Sequence, residues 1–161
     1  MLIAHSVCTI FLFASGSWSA DWVFGLPLIP LTVLINVVGL GLIGQRIVLL
    51  ARGITKRDHP NIIVLTVVCG ITLLAASLHA IDAAIWAGAY RLLGAMPSFH
   101  AAMLYSLNAI TSYGHTNLAL DDRWQLLGAM EALNGTLVFG LSTAFLFAVI
   151  NKVWFSLREH W

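Results

Sequence analysis

The chain has 161 residues, of which 60% are hydrophobic and only 9% charged; its net charge is +1 and its mean hydropathy +0.90. A soluble domain carries about a quarter charged residues, so the composition excludes an ordinary water-soluble globule. With no basic run, it also gives no reason to expect a nucleic-acid partner. The expected class is a one-domain, all-α membrane protein, a helical bundle in a lipid bilayer.

Residues 1–18 are apolar but short, with His5 and Ser6 inside. About 20 apolar residues are needed to span, so this is a marginal first crossing. It lacks the positive n-region of a secretory signal, and the cleavage-like position Ala20 has bulky Trp18 at the minus-three place, so the segment is expected to be retained. Residues 26–51 are long enough to span, with Pro27 and Pro30 at the start, where proline suits a helix's first turn. Residues 1–60 thus read as N-terminal membrane segments and a cytoplasmic loop, and 61–161 as a second region.

That second region opens with the apolar run 61–90, which carries His79 and Asp82. Three residues apart, they share a helical face and read either as a proton or metal site or as a hydrogen-bonded brace. Pro97-Ser98 predicts the start of a short helix over 98–111, and 125–153 is the last long apolar run. Cys8 and Cys69, far apart in apolar stretches, read as small buried hydrophobes.

Positive charge gathers at Arg46, Arg52, Lys56 and Arg57 and again at Lys152 and Arg158. The positive-inside rule puts both groups on the cytoplasmic side. Asp21, Asp121 and Asp122 then face outward. Trp18, Trp22, Trp86, Tyr90 and Trp124 are expected at the outer interface, Trp154 and Trp161 at the inner one. Counting 1–18 as a crossing leaves both termini cytoplasmic; the alternative is a surface-lying N-terminal helix and three crossings.

The segment Ser106–Asn117, SLNAITSYGHTN, lies between two apolar runs and is too short to cross. A dehydrating cation needs rings of backbone carbonyls and hydroxyls about an axis. Turning successive carbonyls inward requires left-handed backbone, which glycine adopts at little cost. Thr111, Ser112, Tyr113 and Gly114 carry such pieces.

In this region the chain resembles the pore-loop potassium-channel family, specifically its small bacterial two-helix-pore members. That family has a Ser near the end of the pore helix, then T-T-x-G-Y-G-D, a short outer loop, and W-R-L-L-G opening the inner helix. Here Ser106 is followed by Thr111, Ser112 and Gly114, and Asn117 stands in the Asp position before Trp124-Gln125-Leu126-Leu127-Gly128. The likeness runs on through Glu131, Asn134, Gly135, Gly140 and Ser142-Thr143-Ala144, and back to His79, Trp86 and Tyr90, covering roughly 79–150. It implies a homotetramer in a bacterial inner membrane, with outer helix 61–90, pore helix 98–111, filter 111–117 and inner helix 125–153. The implied cargo is a monovalent cation, potassium or sodium, with no cofactor and no enzymatic activity.

The chain departs from the pattern at His115 for Tyr, Thr116 for Gly and Asn117 for Asp. A β-branched Thr116 is strained at positive φ. The expectation is fewer carbonyl ion sites than a potassium filter and weak potassium selectivity. The filter holds no carboxylate, which argues against a calcium-type ring. His115 reads either as a proton-sensitive gate or as a neutral hydrogen-bonding ring. On the first reading conductance changes when the outer solution is taken from about pH 8 to pH 5, through the reference pKa of histidine; identical currents across that range remove it.

Asp121 and Asp122 form a candidate outer mouth that gathers cations, or a solvated turn. Gly135 and Gly140 are candidate gating hinges, or sites of close helix packing. Phe145 and Val149, four apart, are a candidate inner constriction closing by dewetting, or packing residues. Glu131 is expected to brace the region behind the filter, because an unpaired buried carboxylate is costly. Two alternatives stand beside the channel. One is a non-conducting channel-like scaffold. The other is a metal- or haem-binding bundle, although His5, His59, His79, His100, His115 and His160 lack metal-motif spacing.

Overall fold

The computed structural model describes the backbone of residues 2–54, 60–114 and 118–158, and side chains over 19–42, 44–46, 65–114 and 118–152. Four α-helices account for most of it: α1 (Leu2–Ile54), α2 (Pro60–Leu92), α3 (Phe99–Ile110) and α4 (Gln125–Arg158), with a 3-10 turn at Asp122–Trp124 leading into α4. No strand occurs among the described residues. Among the described residues three stretches are long and apolar enough to cross a membrane: Ser19–Arg46, Leu65–Leu92 and Asp122–Lys152. With 12 residues, α3 is about 18 Å long and falls short of the ~30 Å hydrocarbon core.

Where the sequence suggests two segments, 1–18 and 26–51, the structure has one continuous helix. Pro27 and Pro30 lie inside it rather than at its start. Each removes one N–H from the ladder, a loss that membrane helices tolerate. Two residues later, Thr32 returns its hydroxyl to the carbonyls of Leu28 and Ile29, at 2.9 and 3.0 Å.

By contacts the chain forms two units. The first, residues 1–32 and 83–136, holds the main apolar core: Trp86, Ala87, Tyr90, Ala95, Met96, Ala102, Leu120, Trp124, Leu127 and Met130. Trp86, Tyr90 and Trp124 are buried within the chain, and Trp22 is exposed. Asp21 is also inside, only 2% exposed, and takes a hydrogen bond from the backbone of Leu127 in the first turn of α4. The first N–H groups of a helix have no partner within it, so Asp21 supplies from α1 a cap that α4 lacks locally.

The second unit, residues 33–82 and 137–161, is knit by Ile71 and Val149 with Val67, Phe145 and Leu146 packed against them. Asn36 donates its amide to the Asp82 carboxyl at 2.5 Å, joining α1 to α2. The His79 ring lies beside Phe139, centroids 5.6 Å apart. His79 and Asp82 thus point to different partners.

Candidate functional site

The start of α3 is fixed by Ser98, extended in its backbone, whose side-chain oxygen accepts the N–H of Ala101 at 3.2 Å. Its end has a defined shape. Ser112 N–H bonds to the carbonyl of Ala109 and Tyr113 N–H to that of Asn108, both at 3.0 Å. This pairing is a Schellman closure, which needs a left-handed residue just past the helix. Ser112 supplies it at φ 54°, the one described non-glycine residue at positive φ. Gly114 follows at φ 77°. Left-handed positions at 112 and 114 flank Tyr113.

Thr111, Ser112, Tyr113 and Gly114 are all exposed, Tyr113 to 85%. The Thr111 hydroxyl donates back to Leu107 O at 2.8 Å. The three other candidate filter residues, His115, Thr116 and Asn117, lie outside the described residues. At the proposed mouth Asp121 and Asp122 are exposed, and Asp122 accepts from the Gln125 amide at 3.0 Å. The Arg123 guanidinium sits over the Trp124 ring at 5.0 Å and bonds to Leu93 O at 3.3 Å.

Behind the turn lies a buried polar junction. Glu131 on α4 and Ser106 on α3 are both completely buried, and the Ser106 hydroxyl donates to one carboxyl oxygen of Glu131. The other oxygen accepts from the Tyr90 hydroxyl of α2 at 2.5 Å. A third tie is steric. A Cβ on Gly135 would lie 2.5 Å from Ile110 O and 2.7 Å from Ile110 Cα, so α4 passes directly against the closing backbone of α3. Nearby, Asn134 donates to Thr32 Oγ1 at 2.8 Å, tying α4 to α1. Gly140, the other candidate hinge, is exposed with open space around it.

Compared with known proteins, the chain matches no family model, no curated protein and no solved structure.

The structure brings Ser106, Thr111, Glu131 and Gly135 together around the end of α3. Phe145 and Val149, the candidate inner constriction, belong to the second unit, where Val149 is buried with Ile71 and the Phe145 ring lies over Gly44. Among the described residues no group of three or more His, Cys, Asp or Glu could hold a metal ion. Sequence reasoning placed Asp21 on the outer side without its bond to Leu127, and offered Asp82 as a brace without its partner Asn36.

Proposed function

We propose that the chain is one subunit of a homotetrameric monovalent-cation channel, similar in plan to the pore-loop potassium channels but weakly selective for potassium. The observation that carries this reading is the contact of Gly135 with the backbone of Ile110. The chain leaves α2 at Leu92 and enters α4 through the turn at Asp122. Counted along α4, Gly135 lies about 20 Å beyond Asp122, well into a ~30 Å hydrocarbon layer. The exposed turn Thr111–Gly114 comes directly after Ile110. Non-helical backbone at such depth persists only where protein or a water path shields it. A single copy leaves this turn open, so the reading supplies further copies around it and an aqueous axis between them. Left-handed backbone at Ser112 and Gly114 supports it, since turning carbonyls to one side requires such positions.

Three crossings with the basic residues of both α1–α2 and the end of α4 inside put Ser19 outside and Lys152 inside. This is the three-crossing alternative to two cytoplasmic termini.

The test is a bi-ionic current measurement on the reconstituted protein, potassium against sodium. The expected result is a cation current with little preference between them. Thr116→Gly, which removes a β-branched residue from a position the resemblance assigns to glycine, is expected to raise the potassium preference. The second reading, a non-conducting channel-like scaffold, has one observation in its favour: the Thr111 hydroxyl is bound within its own helix. Electrical silence of correctly assembled protein under all ions and voltages selects that reading.

A further inference from the structure

The turn after α3 is exposed and its helix is short, so something must hold the last turn of α3 at a set distance from α4. Two contacts do so. Gly135 limits how near α4 can come to Ile110. Ser106, one helical turn before the end, is held by Glu131. The first contact is a stop and the second a tether, and the two together fix a position.

The tether has a rigid far end. Tyr90 is fully buried and packed by Trp86 and by Tyr105, whose ring stands edge-on to it at 88° with centroids 5.5 Å apart. The Tyr90 hydroxyl meets one carboxyl oxygen of Glu131 and the Ser106 hydroxyl the other. Its two oxygens then translate the fixed position of Tyr90 on α2 into a fixed position of Ser106 on α3. Carbonyl coordination of a cation responds to small displacements of the ligating backbone.

Resting on the channel reading above, we infer that Glu131 is a positioning residue for ion selection: through Ser106 it sets the placement of the Thr111–Gly114 turn, with Tyr90 as its anchor. It touches no ion. Its effect is on which ion passes rather than on whether four chains assemble.

The experiment compares wild type with Ser106→Ala, Glu131→Gln and a control, Ser77→Ala, whose hydroxyl is exposed on α2 and bonded to Leu73 O within that helix. Each protein is reconstituted in vesicles of one lipid composition. The potassium-to-sodium permeability ratio, the tetramer fraction and the amide exchange of 107–114 are measured on the same preparations. Ser106→Ala is expected to change the ratio by about threefold or more, the equivalent of one hydrogen bond. It should also speed exchange over 107–114 and leave the tetramer fraction at the wild-type value. Glu131→Gln, whose amide keeps both contacts once one hydroxyl turns to accept, stays nearer to wild type. Ser77→Ala matches wild type in all three. An unchanged ratio with unchanged exchange in Ser106→Ala overturns the inference while a conducting wild type leaves the channel reading standing. If wild type carries no current, the channel reading fails instead, and exchange decides alone: acceleration confined to 107–114 upholds the positioning role, and its absence ends it.

Discussion

Gly135→Ala is expected to lower the thermal midpoint of the purified protein by several degrees, while Gly140→Ala leaves it unchanged or raises it slightly. The two glycines lie five residues apart in α4, and the bare helix preference is the same for both. Alanine gains up to about 1 kcal/mol over glycine in a helix interior. The surroundings differ. At Gly140 a Cβ meets nothing within 4 Å, so the gain is realised. At Gly135 it meets the carbonyl oxygen, Cα and carbonyl carbon of Ile110 at 2.5, 2.7 and 2.9 Å. All three are backbone atoms, which cannot rotate out of the way as a side chain can. Overpacking of this sort costs about 1–3 kcal/mol, at times more. The net loss is about 1–2 kcal/mol, or about 2–8 °C for a chain of this size. Tryptophan fluorescence during a heating scan reads it directly. Equal midpoints for the two variants, with altered channel opening in Gly135→Ala alone, would instead make Gly135 a hinge.

These two glycines mark the boundary of what one sequence reveals. Both are recognisable as weak points in a helix, and either hinge or close packing is open to each. The choice depends on Ile110, which no spacing rule couples to position 135. The same division runs through the fold. Pro97-Ser98 marks the beginning of α3, because proline ends the preceding segment and serine caps the new helix. Long apolar runs mark the three spans. The join between 1–18 and 26–51 is not legible, because Pro27 suits a helix start as well as a tolerated interior site. Phe145 and Val149 have only their spacing to place them. In a helix apolar all round, spacing does not tell the packed face from the open one, and here the pair faces Ile71 and Gly44. The need of Glu131 for donors is legible from the cost of a bare carboxylate. The identity of those donors, Tyr90 and Ser106 on two other helices, is not.

Glu131→Leu is the other substitution with a large expected effect, about 2–6 kcal/mol of stability, because it leaves two buried hydroxyls facing an apolar side chain. Each unsatisfied buried group costs about 1–3 kcal/mol. Removing one hydroxyl alone, as in Tyr90→Phe or Ser106→Ala, costs less, since hydrogen bonds between membrane helices average ~0.6 kcal/mol by double-mutant cycles. The decisive measurement is the triple variant Tyr90→Phe, Ser106→Ala, Glu131→Leu. Replacing every partner of a buried polar group by apolar ones of similar shape is close to neutral. The triple variant should therefore recover most of what Glu131→Leu loses, a strongly non-additive result that only mutually dependent groups produce. If the losses simply add, the three side chains stabilise the fold independently. The carboxyl then joins nothing, and the tether from α2 through α4 to the end of α3 has no energetic existence.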